Sequence, residues 1–191
     1  NGYHVINPSY PSTHHSIPFL AQYVWNKIKD QVNKDTPIHF VGYSMGGLII
    51  QSIIKQYTPE PGGRVVLLGT PNHGSPIADI LKKTRGFKKI FGPAGIALGT
   101  EGRAVDAFAI TQHHQVGCIG SSIVGLWKIT YPISSFIFKE PHDGRVTVSS
   151  TKIKKMDDFA TLHCPHFLLP YSPKIKRYTL SFLREGRFKK D

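Results

Sequence analysis

One stretch of the chain limits the possible folds more than any other. An apolar, strand-like run at 38–41 leads into Gly42-Tyr43-Ser44-Met45-Gly46, and an apolar helical segment at 45–57 follows. A serine on such a tight strand-to-helix turn holds its hydroxyl clear of the backbone, provided that the residues two before and two after it are small. The pattern predicts a nucleophile elbow with Ser44 as the nucleophile. A glycine-rich turn with a capping serine is the alternative interpretation.

The predicted helix begins beside Ser44 and supplies a hydrogen-bond donor. The first N–H groups of a helix have no partner within it, and the helix dipole adds positive potential there. An oxygen that becomes negative when a carbonyl is attacked is stabilised by such a donor. We therefore predict that the Met45 N–H is an oxyanion donor. Gly47, the next glycine, is expected to let the helix pack closely on the sheet.

A serine nucleophile requires a histidine to take its proton and a carboxylate to orient that histidine. With an elbow of this type, the acid and then the histidine follow the serine along the chain. Of the ten histidines, this order and the predicted strands leave His142, His163 and His166. His166 is preferred because it follows the last predicted strand, where loops project over the sheet edge. His163, at the strand end, is the rival, and both could instead be structural.

The best candidate for the acid lies in His142-Asp143-Gly144-Arg145. Asp143 stands between the nucleophile and His166 in the chain, as the order requires. An Asp-Gly turn without chemistry is the alternative, since such turns are common. Asp157 and Asp158 directly precede the last predicted strand, and we interpret them as a turn or a solvated pair.

Apolar strands alternate with amphipathic helices along the chain. We predict strands at 4–7, 38–41, 64–68, 116–119, 145–148 and 159–162, and helices at 17–28, 45–57, 76–81 and 173–184. This alternation indicates an α/β fold with a mainly parallel sheet and helices on both faces. A length of 191 residues favours a single domain, 1–191. Residues 82–115 have no assignment.

The charge and composition of the chain limit the binding partners that we expect. The net charge is +12, from 24 basic and 12 acidic side chains, which favours peripheral contact with anionic surfaces such as phospholipid headgroups. Basic residues cluster at 82–89 and 174–190, where solvated faces are the simpler explanation. No nucleic-acid-binding motif accompanies them, so we expect no specific nucleic-acid partner. We also expect no metal and no cofactor, and Cys118 and Cys164 are predicted to be buried free thiols. No apolar run is long enough to span a bilayer.

Taken together, these motifs resemble the serine-dependent α/β-hydrolase superfamily and, more narrowly, bacterial lipase- and esterase-like members. The segments that carry the resemblance are Tyr10-Pro-Ser-Thr, His39-Phe-Val-Gly-Tyr-Ser-Met-Gly-Gly-Leu, Gly63-Arg-Val-Val-Leu-Leu-Gly-Thr-Pro-Asn-His-Gly-Ser, Pro93-Ala-Gly, Leu98-Gly-Thr, Asp143-Gly-Arg-Val-Thr-Val-Ser-Ser-Thr and Phe182-Leu-Arg-Glu-Gly-Arg-Phe. The resemblance implies an α/β-hydrolase fold, with Ser44 as nucleophile, Asp143 as acid and His166 as base. It also implies cleavage of a carboxylic ester, lipid or short acyl, through an acyl-enzyme. Acyl transfer to an alcohol and a non-catalytic hydrolase-fold fragment are the alternatives.

Four further residues are candidates for the substrate pocket. Thr70, Pro71 and Asn72 follow the strand beside that of the nucleophile, with plain turn chemistry as the alternative. Tyr43 is the fourth; it stands where proteins of this kind often carry histidine, and we expect this difference to leave the triad untouched. The aromatic-rich excursion at 123–141 is a candidate lid or acyl-chain wall, with an ordinary connector as the alternative.

The resemblance also implies an early strand ending in a His-Gly loop, which would supply a second oxyanion donor. The chain opens at Asn1 without it, so we expect the first strands to be missing and a longer natural chain to exist. Because removing one donor can lower the rate by about 10²–10³, we expect little esterase activity from the chain as given. An N–H group in the turn at 8–12 is the alternative donor. No signal peptide is visible, which weakly favours a cytoplasmic location, and the oligomeric state is open.

Overall fold

A parallel sheet lies at the centre of the computed structural model, which describes residues 2–33, 35–81, 93–95, 98–99, 114–123 and 136–189. Its strands, in spatial order, are β1 (Ile38–Tyr43), β2 (Gly62–Leu68), β3 (Gln115–Ser121) and β4 (Asp158–Leu162). Each neighbouring pair is parallel. The carboxyl ends of all four strands therefore meet at one edge of the sheet, where the connecting loops can gather functional side chains.

Helices cover both faces of this sheet. The helices are α1 (Ile17–Ile28), α2 (Met45–Tyr57), α3 (Pro76–Leu81) and α4 (Pro173–Glu185), with 3₁₀ turns at Ser149–Thr151 and His166–Tyr171. Of these, α2 packs on one face of the sheet and α4 on the other, and α1 packs against α2. On β2, Val65 packs in a buried cluster with Ile54 of α2, whereas its neighbour Val66 packs in another with Phe182 of α4. Side chains alternate across a strand, so β2 is buried on both faces at Val65–Leu68, which explains the uninterrupted apolar sequence of these four residues.

The predicted pattern of elements is largely confirmed. All four predicted helices are present, and the strands predicted at 38–41, 64–68, 116–119 and 159–162 correspond to β1–β4. No helix in the described ranges is long and apolar enough to cross a membrane. The predicted basic cluster at 82–89 and most of the excursion at 123–141 lie outside the described residues.

Two predicted strands are wrong. Residues 4–7 have no strand pairing, although their apolar pattern is strand-like. At 145–148 the structure has only an isolated bridge between His142 and Thr147. There the carboxylate of Asp143 accepts the N–H groups of Arg145 and Val146, which are therefore not available to a ladder of strand hydrogen bonds.

The acidic pair at the start of β4 agrees only in part with the prediction of a turn or a solvated pair. Asp157 is exposed and lies at a bend, whereas Asp158 is half-buried as the first residue of β4. The Asp157 carboxylate accepts the N–H of Val116 at 2.6 Å, and the Asp158 carboxylate accepts the N–H of Phe188 at 2.7 Å. The two carboxylates therefore attach the start of β3 and the segment after α4 to the edge of β4. Cys118 is a buried free thiol, as predicted, while Cys164 is free but only partly buried.

Candidate active site

The elbow forms where the sequence predicts it, between β1 and α2. Ser44 has φ 52° and ψ −124°, a backbone conformation that a non-glycine residue adopts only when its surroundings enforce it. The Ser44 N–H donates to the carbonyl of Leu68 at 2.8 Å, and the Gly47 N–H donates to the carbonyl of Ser44 at 3.1 Å. Hydrogen bonds on both sides thus hold the turn, and Ser44 stays partly exposed.

The glycines around Ser44 are not equivalent. A Cβ on Gly42 would lie 2.5 Å from the Cα of Gly47, and a Cβ on Gly47 would overlap the side chain of Thr70. A Cβ on Gly46 would meet only the Tyr10 hydroxyl, at 3.8 Å, which is ordinary contact. The expectation of tight packing is confirmed for Gly42 and Gly47. The steric argument for a small residue at Gly46 is wrong among the described neighbours.

In the structure, the three predicted catalytic side chains are in hydrogen-bonding contact, with His166 between Ser44 and Asp143. The Nε2 atom of His166 lies 2.9 Å from the Oγ atom of Ser44. Its Nδ1 atom lies 2.7 Å from Oδ2 of Asp143. His166 and Asp143 are 2% and 1% exposed, so water has little access to this imidazole–carboxylate pair. With the proton on Nδ1, Nε2 can accept the hydroxyl proton of Ser44.

The loop after β3 fixes the carboxylate of Asp143. Its Oδ1 atom accepts the N–H groups of Arg145 at 3.0 Å and Val146 at 2.8 Å, which leaves Oδ2 directed at His166. The tight loop depends on Gly144, whose φ of 96° favours glycine. The Asp-Gly turn that was the alternative interpretation is therefore present, and it orients the carboxylate.

The rival histidine has a different partner. The Nδ1 atom of His163 lies 3.0 Å from the Oγ atom of Ser122, and His163 is exposed. The third candidate, His142, accepts the N–H of Gly144. Of the three candidates, it is His166 that the structure brings within hydrogen-bonding distance of Ser44.

The residues predicted to line a pocket after β2 lie inside the protein. Thr70, Pro71 and Asn72 are buried. The amide of Asn72 accepts from Gln51 of α2 at 2.7 Å and donates to the carbonyl of Thr151 at 2.8 Å. The contacts of Asn72 thus link the segment after β2 to α2, which begins at the elbow, and to the 3₁₀ turn Ser149–Thr151. A role for these residues in lining a pocket stays a prediction, which these contacts do not favour.

Tyr43 contacts His166, and the contacts of His166 with Ser44 and Asp143 are formed beside it. The expectation that a tyrosine here leaves the triad untouched stays a prediction. Its hydroxyl donates to the carbonyl of His166 at 3.1 Å, and the two ring centroids are 5.1 Å apart. Burial raises the pKa of Tyr43 to about 12. No local sequence signal could have revealed this contact, because 123 residues separate the partners.

The remaining predictions concern the donor for the oxyanion and the binding of metal ions. Met45 is the first residue of α2, and its side chain packs toward the cluster between α1 and α2. The role of its N–H as an oxyanion donor stays a prediction. Among the described residues, no group of three or more histidine, cysteine or acidic side chains could hold a metal ion.

This architecture defines the class of the protein. Its parallel sheet is covered by helices on both faces, and a serine elbow follows β1 while an acid and a histidine follow β3 and β4. The chain has the α/β-hydrolase fold. Residues 13–71, about a third of the chain, match the family model described as "Putative serine esterase (DUF676)". The matched range includes Ser44.

Solved structures of hydrolases are similar to this chain. The mature form of the Bacillus licheniformis lipase BlEst2 has a TM-score of 0.68 and 18% identity, over 92% of this chain and 76% of that one. The metagenomic carboxyl esterase MGS0156 has a TM-score of 0.64 and 13% identity, over 81% and 52%. Phospholipase PlaB from Legionella pneumophila has a TM-score of 0.57 and 18% identity, over 76% and 36%.

Because these sequence identities are below 20%, the structural similarities establish the fold of the chain and not its activity. The chain spans about three quarters of the mature lipase, but only about half of the carboxyl esterase and about a third of the phospholipase. A search of curated protein sequences found no match.

Proposed function

We propose that the protein is a serine hydrolase that cleaves carboxylic esters. The observation that carries the proposal is the unbroken contact from Ser44 through His166 to Asp143, with separations of 2.9 and 2.7 Å. The partial match to a serine esterase family and the likeness to lipases and esterases support the same class of reaction.

In the proposed reaction, Ser44 Oγ attacks the ester carbonyl while His166 Nε2 takes the hydroxyl proton. Asp143 stabilises the imidazolium that forms and keeps its Nδ1 proton directed at the carboxylate. The tetrahedral intermediate collapses, the bond to the alcohol oxygen breaks, and His166 returns the proton to the leaving alkoxide. Water then attacks the acyl-enzyme and gives a proton to His166. When this second tetrahedral intermediate collapses, the bond between the acyl carbon and Ser44 Oγ breaks, His166 returns the proton to Oγ, and the acid product leaves.

The oxyanion of each tetrahedral intermediate is proposed to bind at the start of α2. The helix has 13 residues, and the Met45 N–H is at its N-terminus, directly after Ser44. Backbone donors and the helix dipole there favour a negative oxygen. The donor is held by the peptide next to the nucleophile, so its position relative to Ser44 is set by the same strained turn.

We propose ester or lipid molecules as substrates. The related structures include a lipase, a carboxyl esterase and a phospholipase, which supports this substrate class without fixing the acyl length. The net charge of +12 supports peripheral contact with anionic lipid surfaces. Vesicle sedimentation tests that contact: the protein should sediment with phosphatidylglycerol-containing vesicles at low salt and should not do so with purely zwitterionic ones.

Turnover of nitrophenyl esters tests the proposed function. Ser44→Ala, His166→Ala and Asp143→Asn should each lower kcat by about 10³ or more, because each removes part of one proton-transfer unit. His163→Ala is the matched histidine control and should stay within a few-fold of the parent. Retained turnover in Ser44→Ala, or equal losses at His163 and His166, would contradict the proposal.

One control completes the experiment. Added alcohol separates hydrolysis from transfer: a hydrolase releases mainly the free acid, whereas an acyltransferase forms mainly the new ester.

A further inference from the structure

Every polar group of His166 has a partner in the structure. Its N–H donates to the backbone carbonyl of Asp143 at 2.9 Å, and its two ring nitrogens contact Asp143 and Ser44. Its carbonyl accepts the hydroxyl of Tyr43 at 3.1 Å. Tyr43 is the chain neighbour of Ser44, so the nucleophile and the base are joined at two points, once through side chains and once through the backbone of His166.

The imidazole of His166 is also enclosed by its packing neighbours. The ring of Tyr43 lies against it, with centroids 5.1 Å apart and planes tilted by 36°. The backbone of Gly69 also approaches it, since a Cβ there would lie 3.2 Å from Cε1 of His166. A histidine side chain can rotate about two bonds, and these neighbours limit both rotations. The orientation that directs Nε2 at Ser44 is thereby restricted.

We infer that Tyr43 is a positioning residue for the proposed general base: its hydroxyl fixes the backbone of His166, and its ring fixes the tilt of the imidazole. This inference rests on the proposed function. It differs from the pocket role suggested by the sequence, because the contacts of Tyr43 are with His166. Phenylalanine could supply the ring contact but not the hydrogen bond, so the two contributions can be separated by substitution.

Tyr43→Phe tests the hydrogen bond, with Tyr57→Phe as the matched control. Tyr57 is also half-buried and stacked on an aromatic ring, that of Trp25, but it lies at the other end of α2. We expect Tyr43→Phe to lower kcat about three- to tenfold, the usual effect of one neutral hydrogen bond, with KM unchanged within about twofold. Tyr57→Phe should leave both constants unchanged.

Two readouts separate positioning from a general loss of structure and from substrate binding. The rate of Ser44 labelling by a small fluorophosphonate should fall in parallel with kcat, because labelling needs the Ser44–His166 contact and little of the substrate pocket. The imidazole resonances of His166 should shift in Tyr43→Phe and not in Tyr57→Phe, and this measurement does not depend on turnover.

Different experimental results would overturn the inference and the proposed function. If Ser44→Ala and His166→Ala are inactive but Tyr43→Phe keeps the kcat, the labelling rate and the imidazole resonances of the parent, the inference is overturned and the proposed function stands. An effect confined to KM would also overturn it, in favour of a substrate-contacting Tyr43. Ester turnover that survives Ser44→Ala overturns the proposed function, whatever Tyr43→Phe does to the resonances.

Discussion

A methyl group added at Gly47 should destabilise the protein, whereas the same group added at Gly46 should not. The Cβ of an alanine at Gly47 would overlap Oγ1 of Thr70 and lie 2.8 and 2.9 Å from its Cγ2 and Cβ atoms. Thr70 is fully buried, and no rotation about its first side-chain bond moves its Cβ. At Gly46 the nearest described atom is the Tyr10 hydroxyl, at 3.8 Å.

The magnitudes follow from these contacts. Overpacking a well-packed interior costs about 1–3 kcal/mol, and Gly47→Ala should lie near the upper end because three atoms of one β-branched side chain are affected. Alanine is favoured over glycine in a helix by up to about 1 kcal/mol, so Gly46→Ala should be neutral or slightly stabilising. The two variants should therefore differ by about 2–4 kcal/mol, or roughly 5–15 °C in melting temperature for a chain of this size.

Urea unfolding of both single variants, and of Gly47→Ala combined with Thr70→Ala, measures these differences. Shortening Thr70 removes Oγ1 and Cγ2, so the double variant should recover at least about 1 kcal/mol relative to the sum of the single changes. If Gly47→Ala is as stable as Gly46→Ala, or if shortening Thr70 recovers nothing, the steric account of the elbow is wrong.

Three further predictions concern buried contacts of the site and of the sheet edge. Asn72→Ala should lower the free energy of unfolding by about 3 kcal/mol, because it leaves the buried amide of Gln51 without its partner; urea unfolding measures this, and a loss below about 1 kcal/mol would contradict it. The pKa of Tyr43 is raised to about 12, so the unfolded chain loses the phenolic proton first and the free energy of unfolding should fall between pH 10 and 12. This fall should be smaller in Tyr43→Phe, and equal slopes in the two proteins would refute the assignment. Asp158→Ala should speed hydrogen exchange at the Phe188 amide, because it removes the carboxylate that accepts that N–H; unchanged exchange there would show that the contact does not hold the segment.

The sequence predicts those elements whose apolar pattern is sufficient to define them. The second half of β2, Val65–Leu68, is apolar because both faces are covered, and α1 keeps its buried apolar side chains on one face. The elbow is predictable because a short local motif enforces it. The chain order of nucleophile, acid and histidine, together with the predicted strands, then reduces the candidates for the base to three histidines. The choice of His166 depends on its place after β4, which the strand pattern already indicates.

Other features depend on contacts between distant residues. The Asp143 carboxylate takes the N–H groups that a strand at 145–148 would have used, and the alternating pattern there gives no sign of it. Asp157 is bonded to a residue more than forty positions earlier, so it looks like part of a solvated turn in the sequence. Tyr43 and Asn72 likewise act through partners far along the chain. Patterns over a few residues cannot encode such pairs.

The central claim is that His166 activates Ser44 as a nucleophile. Labelling with a fluorophosphonate, followed by intact-mass and peptide mass spectrometry, tests it most directly. The account predicts one equivalent of label per chain, on the peptide that contains Ser44, no label in Ser44→Ala and labelling slowed by about 10³ or more in His166→Ala. Label on another residue, or an unchanged labelling rate in His166→Ala, would contradict it.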